Sequence, residues 1–198
     1  LSYAQMCARK DIPPEFLKLN LNFIAEDKVV KTVEFAYGDS FDEEIYPTME
    51  APEGSYVRWD REDLQNLHMD TTVNAIYEPY VTTLASEEER NGQPLFLVQG
   101  DFRMGDTLAI TAQTAAEGSA EWTLTIPADG TESHIVRWLM TDKNENYAVY
   151  VDCGEGAEKV KTEKNGSYLC FEMSQSGRII IETKEKLWRF ALIIVASG

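Results

Sequence analysis

The chain has few of the residues that usually build catalytic or metal sites. Among 198 residues there are two histidines, His68 and His134, and three cysteines, with no local Cys/His cluster. Zinc needs three or four such ligands at close range. The sequence also lacks the Gly-x-Ser-x-Gly pattern of a serine nucleophile and a glycine-rich phosphate loop. We therefore expect a non-enzymatic protein without catalytic, metal-binding or cofactor-binding residues.

Basic residues are scarce as well. Eighteen lysines and arginines face 34 aspartates and glutamates, so the net charge is -16. A surface of this sign repels the phosphates of nucleic acids, which we exclude as partners. The acidic segment with Asp39, Asp42, Glu43 and Glu44 is interpreted as a solvated loop and not as a cation site.

The cysteines Cys7, Cys153 and Cys170 are too few for a disulfide scaffold and odd in number, so at most one pair can form within the chain. Strand alternation places Cys153 and Cys170 on opposite sides of the predicted sheets. We therefore predict no bridge between them and a buried, inert thiol at Cys153. Lipidation at Cys7 is rejected, because Met6 stands where a lipoprotein cleavage site requires a small residue.

Long hydrophobic runs are absent. The longest apolar segment, residues 188–198, is at most half of the roughly 20 residues that span a membrane. It is interpreted either as a last β-strand or as the start of a truncated anchor helix.

Residues 17–80 show the two-residue alternation of half-buried strands. Leu19, Leu21 and Phe23 alternate with polar residues, and a turn at Glu26-Asp27-Lys28 predicts a hairpin. The later segments predict two more strands, separated from the hairpin by an irregular crossing. The pattern indicates a small β-rich module, with residues 1–16 as an N-terminal extension.

Residues 81–94 are polar with an acidic run and are predicted to be a linker. Beyond them, residues 95–187 contain seven or eight short predicted strands, with a hairpin signal at Asn165-Gly166. Regular short strands without helical periodicity are typical of an antiparallel β-sandwich. The fold class predicted for the whole chain is therefore mainly β.

Five segments at family-like spacing, distributed over residues 17–80, resemble the internalin B-type repeat: Leu19 to Phe23, Val33 to Gly38, Pro52, Gly54 to Trp59, and Asp70 to Tyr77. The chain departs from the family pattern at Ser55 and Arg58. Residues His134 to Leu139 and Gly166 to Phe171 are similar to the β-rich domain that follows such repeats near the membrane or wall. The resemblance implies a β-grasp-like module, with Trp59 and Tyr77 in its core, on the surface of a Gram-positive bacterium. It also favours the anchor interpretation of residues 188–198.

Other candidates for chemistry are weak. The segment beginning at Asp142 starts like a calcium loop but has Tyr147 and Cys153 where glycine and glutamate are needed, so we predict a polar turn. His134 is interpreted as a turn or rim residue and Trp122 as a core residue. The remaining candidates for contact with a ligand are three tyrosines, Tyr3, Tyr80 and Tyr147.

Together these patterns predict an extracellular, anchored segment of a surface protein that acts as a spacer, adhesion or binding module. Its partner would be an unknown protein or glycan. The alternatives are an ancillary carbohydrate- or protein-binding module of a secreted enzyme, and a soluble intracellular β-protein.

Overall fold

A computed structural model of the chain describes residues 18–115 and 119–184, and residues 2, 5, 6, 8, 9 and 12 of the N-terminal segment. The predicted tail 188–198, Cys7 and Tyr3 lie outside the described residues, as does most of the predicted extension 1–16. The chain divides into two units, Leu1–Pro79 and Tyr80–Gly198, which we call the N-terminal unit and the sandwich unit. The described residues are mainly β, as predicted.

The N-terminal unit is built on a four-stranded sheet in the order β2-β1-β4-β3. Its strands are β1 (Lys18–Ala25), β2 (Lys28–Ala36), β3 (Ser55–Trp59) and β4 (Thr71–Pro79). β1 and β2 form the predicted antiparallel hairpin, and the two central strands, β1 and β4, run parallel. An irregular crossing with a 3-10 turn at Glu43–Ile45 joins β2 to β3. This strand order, with a parallel pair at its centre, is the β-grasp-like arrangement that the resemblance implied.

Alternation in β1 produces the core of the N-terminal unit. Leu19, Leu21 and Phe23 are buried, and the connection between β3 and β4 adds Leu64 and Leu67. Trp59 is half-buried and packs against this core, with its ring centroid 5.3 Å from that of Phe23. Tyr77 is half-buried and is not a member of the core cluster. The prediction for Tyr77 was therefore wrong, because it lies near the end of β4, beyond the part that pairs with β1.

The sandwich unit consists of two five-stranded sheets and a small hairpin. Its strands are β5 (Val81–Ala85), β6 (Glu89–Arg90), β7 (Gln93–Pro94), β8 (Phe96–Phe102), β9 (Ala109–Gln113), β10 (Ser119–Thr125), β11 (His134–Leu139), β12 (Asn146–Asp152), β13 (Glu158–Val160), β14 (Glu163–Asn165), β15 (Tyr168–Met173) and β16 (Gly177–Lys184). One sheet has the order β13-β12-β16-β10-β9 and the other β14-β15-β11-β8-β5. All their pairings are antiparallel.

Inward-facing side chains of both sheets form a single core. Phe96, Val136 and Trp138 come from one sheet, and Trp122 and Val149 from the other. The centroids of Trp122 and Trp138 are 5.9 Å apart, and Tyr147 meets Trp138 edge to face at 5.1 Å. Trp122 is therefore a core residue, as predicted. Packing of two alternating sheets in this way is the arrangement of a β-sandwich.

The predicted linker 81–94 is wrong, because this segment belongs to the sandwich unit. β5 pairs with β8 and buries Leu84. The hydroxyl of Ser86 donates to the carbonyl oxygen of Glu88 and accepts from the amide of Phe96. Arg90 donates to the carbonyl oxygen of Leu139. Polar groups of this segment therefore form hydrogen bonds within the sandwich unit, and Leu84 packs in its core.

Candidate functional site

A cluster of buried polar side chains in the sandwich unit surrounds His134. A cleft of about 480 Å³ opens there between the β10–β11 and β15–β16 connections. It is lined by residues that include Pro127, Asp129, Thr131, His134, Gln175 and Ser176. His134 is only 3 % exposed. The interpretation of His134 as a turn or rim residue was therefore wrong.

His134 is buried because it is the first inward-facing residue of β11, followed at two-residue steps by Val136 and Trp138. Its ring stacks on Phe102, with centroids 5.9 Å apart. Its Nδ1 lies 3.2 Å from the carbonyl oxygen of Gln99. Since a carbonyl oxygen can only accept, this contact assigns a proton to Nδ1.

The carboxylate of Asp129 lies beside this ring, and its side chain is 2 % exposed. Oδ1 accepts the amide of Thr131 at 2.8 Å. Oδ2 accepts the hydroxyl of Thr131 at 2.8 Å and the amide of Asp101 at 2.9 Å. Three donors therefore hold the carboxylate and tie the β10–β11 connection to β8.

Burial of Asp129 opposes its ionisation and by itself would raise its pKa. The hydrogen bonds from Thr131 and Asp101, with a smaller contribution from His134, outweigh burial and leave the pKa of Asp129 below its usual value. The Nε2 of His134 is 3.7 Å from Oδ1 of Asp129 and forms an ion pair with it only when the ring carries both protons. The site is thus arranged to keep a buried carboxylate charged.

Gly100 leaves room for this cluster. A Cβ at position 100 would lie 2.4 Å from Oδ2 of Asp129 and 2.9 Å from Nδ1 of His134. Glycine inside a strand often marks a close approach of this kind. The residue type at position 100 is therefore dictated by the buried pair.

The polar groups of the cleft are largely committed to the fold. The carboxylate of Asp129 has its three donors, and Nδ1 of His134 has its acceptor. The hydroxyl of Ser176 accepts from the amide of Ile126 and donates to its carbonyl oxygen. We interpret the cluster as structural, because it holds the β10–β11 connection in place at the edge of the cleft.

The lowered pKa of Asp129 predicts a loss of stability of the sandwich unit in acid. A carboxylate whose pKa is lower in the folded state stabilises above its unfolded pKa, about 3.9, and this contribution disappears as the pH falls through the folded pKa. Urea titrations at pH 7 and at pH 3, followed by tryptophan fluorescence, measure it. Asp129→Asn should be less stable than the unmodified chain at pH 7, and the difference should shrink at pH 3. A difference that is the same at both pH values would contradict this assignment.

The other sequence candidates are dispersed. His68 belongs to the N-terminal unit, where its ring stacks on Tyr37 with centroids 4.3 Å apart and its Nε2 is 2.9 Å from Oδ1 of Asn66. Asp39, Asp42, Glu43 and Glu44 are exposed, as predicted for a solvated loop. Tyr80 is half-buried. Within the sandwich unit, Tyr80 is not among the residues that line the His134 cleft.

Tyr147 was a candidate for contact with a ligand, and its burial contradicts this. It is 7 % exposed, and its hydroxyl accepts from the amide of Asp142 and donates to the carbonyl oxygen of the same residue. The carboxylate of Asp142 accepts the amide of Asn144, so this segment is the polar turn predicted from the sequence. The tyrosine hydroxyl thus fastens the turn to the core.

Cys153 and Cys170 are both free thiols, which agrees with the prediction that they do not form a bridge. Cys153 was predicted to be buried but is half-buried, because it follows the end of β12 and its Sγ reaches the carbonyl oxygen of Gln175 at 3.6 Å. Burial raises the pKa of the Cys170 thiol, an effect that Arg137 opposes and Glu163 increases. Such a thiol is a weaker nucleophile at neutral pH than an exposed one.

Sequence reasoning missed the partnership of Asp129 and His134, although two local signals exist. Asp129 precedes Thr131 by two residues, the spacing at which an aspartate accepts the backbone amide and the hydroxyl. Gly100 interrupts the otherwise regular β8. Neither signal identifies His134 as the partner of Asp129, because the approach of the two residues depends on the pairing of strands in the sheet.

Within residues 18–115 and 119–184, no group of three or more His, Cys, Asp or Glu side chains is arranged to hold a metal ion. No helix in this described part of the chain has the length and apolarity to cross a membrane. Comparisons with protein families, curated proteins and solved structures found no match.

Proposed function

We propose that this chain is a non-enzymatic, extracellular segment of a bacterial cell-surface protein that acts as a spacer and adhesion module. The observation that carries the proposal is the β2-β1-β4-β3 sheet, in which the repeat-like segments occupy successive parts of one unit. The Leu19 to Phe23 segment lies in β1, Gly54 to Trp59 covers β3, and Asp70 to Tyr77 leads into β4. The sandwich unit follows directly.

Two properties of the described residues agree with a spacer. Each unit has a hydrophobic core formed from its own residues, as expected of modules strung along a stalk. The net charge of -16 favours a well-solvated surface. Anchoring to membrane or wall through sequence beyond this chain, and binding of a protein or glycan, remain parts of the proposal.

An ancillary carbohydrate-binding module of a secreted enzyme is less well supported. Glycan sites commonly offer an exposed aromatic platform, whereas Trp122, Trp138 and Tyr147 belong to the sandwich core. The flanking sequence of the gene tests this alternative. An adjoining catalytic domain would favour it over a surface spacer, whereas a signal peptide with an anchor would favour the spacer.

Antibodies raised against the chain test the surface assignment on cells of its native host. We expect labelling of intact cells that disappears after external protease treatment. A cytosolic protein serves as the control and should be labelled only after permeabilisation. If this chain, like the control, is labelled only in permeabilised cells, the proposal is wrong.

A further inference from the structure

The parallel pair at the centre of the N-terminal unit has the geometry of a mechanical clamp. β1 and β4 are neighbours, and their paired residues run from Leu21 opposite Thr71 to Ile24 opposite Asn74. β1 begins before this overlap, at Lys18, and β4 continues beyond it to Pro79. The chain therefore enters the pair at one end and leaves it at the other.

Tension between residues 18 and 79 pulls two parallel, overlapping strands in opposite directions along their length. The force then runs along the strands and across the bonds that join them. Because these bonds are evenly spaced along a parallel pair, all of them share the load at once. The covalent path between the strands, through β2, the crossing and β3, stays slack until the overlap fails. An antiparallel hairpin pulled at its open end instead loses its bonds one at a time.

One aspartate brackets the overlap where it begins. Oδ1 of Asp70, the residue before β4, accepts the amide of Asn20 in β1 at 2.8 Å. At the far end, Asp60 bonds to Asn74, but Asp60 follows β3, so these contacts join β4 to β3 and not to β1. Hydrogen bonds to a charged acceptor are stronger than those between neutral groups.

Apolar side chains keep water away from one face of the overlap. Leu21 and Phe23 of β1 and Val73 of β4 have no exposed surface. A hydrogen bond beside such a layer competes less with water than an exposed one does. Water reaches the ends of the overlap first, and Asp70 occupies one of them.

We propose that the overlap of β1 and β4, bracketed by Asp70, is a shear clamp that bears tension applied between residues 18 and 79. The proposal rests on strand geometry and on the contact of Asp70 with Asn20, so it extends beyond the proposed surface function. It assigns a mechanical role to Asp70, which sequence reasoning placed in no site.

Single-molecule pulling on the full chain tests the clamp in two directions. Two variants of the chain are compared. Each carries Lys18→Cys as one attachment point for the pulling handles, and in each Cys7, Cys153 and Cys170 are replaced by serine. The second handle is Pro79→Cys for shear, or Ala36→Cys, the partner of residue 18 in the hairpin, for unzipping. We expect a higher force of unfolding in shear at the same loading rate. Equal forces, or a lower force in shear, would overturn the clamp without bearing on the surface assignment.

Asp70→Ala tests the bracket in the shear geometry. Loss of one hydrogen bond to a charged acceptor should shorten the lifetime of the N-terminal unit under constant force roughly tenfold. Asp39→Ala is the matched control, because Asp39 is also exposed and accepts one backbone amide, that of Ala36 at 2.8 Å, outside the overlap. The lifetime of the N-terminal unit under the same force should be unchanged in Asp39→Ala. Equal shortening by both substitutions would assign Asp70 a general structural role and refute the bracket.

Discussion

Replacement of Trp138 by alanine is expected to lower the free energy of unfolding of the sandwich unit by about 3–5 kcal/mol. Trp138 is 2 % exposed and contacts Trp122 and Tyr147. Truncation would remove its ring contacts with the opposite sheet and leave a large cavity between the two sheets. Urea unfolding of the full chain, with the two units resolved by hydrogen exchange, measures the loss.

Trp138→Phe is the control for this variant. The indole N–H is buried and has no hydrogen-bond partner among the described residues. Phenylalanine would retain an aromatic ring in the core and remove this unpaired donor, whose burial is itself unfavourable. The loss should therefore be smaller than with alanine. If phenylalanine and alanine cost the same, the ring contacts do not stabilise the unit as described.

Phe23→Ala should produce an equally large loss, about 3–5 kcal/mol, in the N-terminal unit. Phe23 is fully buried and meets Tyr46 and Trp59 edge to face at 5.5 and 5.3 Å. It lies in β1, so the same change removes packing from one face of the parallel overlap. Thermal unfolding followed by circular dichroism should show the transition of the N-terminal unit shifted to lower temperature.

Val29→Ala provides the comparison within the same unit. Val29 lies in β2 and is 58 % exposed, so its truncation should alter stability by less than about 0.5 kcal/mol. An effect as large as that of Phe23→Ala would mean that β2 is covered in solution.

Strands whose two faces differ strongly could be predicted from sequence. In β1 the buried Leu19, Leu21 and Phe23 alternate with polar side chains, because one face packs on the core and the other does not. The turn at Glu26-Asp27 could also be predicted from the local sequence. In the structure both residues have positive φ values, 49° and 60°. Local sequence determines these features.

Edge elements were missed because they bury little. β5 places only Leu84 fully in the core and precedes an acidic run, so its five residues carry no clear alternation. β6, β7 and β14 have two or three residues each and are defined by pairing with other strands. Pairing between distant segments leaves no local period in the sequence.

The errors at His134 and Tyr147 have different origins. Tyr147 shares its strand face with the apolar Val149 and Val151, so the alternation already favoured burial. His134 is covered by a connection that Asp129 fastens to β8. That contact joins residues far apart in the chain, and no spacing in the sequence indicates it.

Residue-resolved hydrogen exchange of the full chain, compared among the unmodified protein, Phe23→Ala and Trp138→Ala, tests the central claim that two β units fold on separate cores. We predict that Phe23→Ala accelerates exchange within 18–79 alone and that Trp138→Ala accelerates it within 80–184 alone. Acceleration in both units by either variant would contradict the claim and make the chain a single cooperative domain.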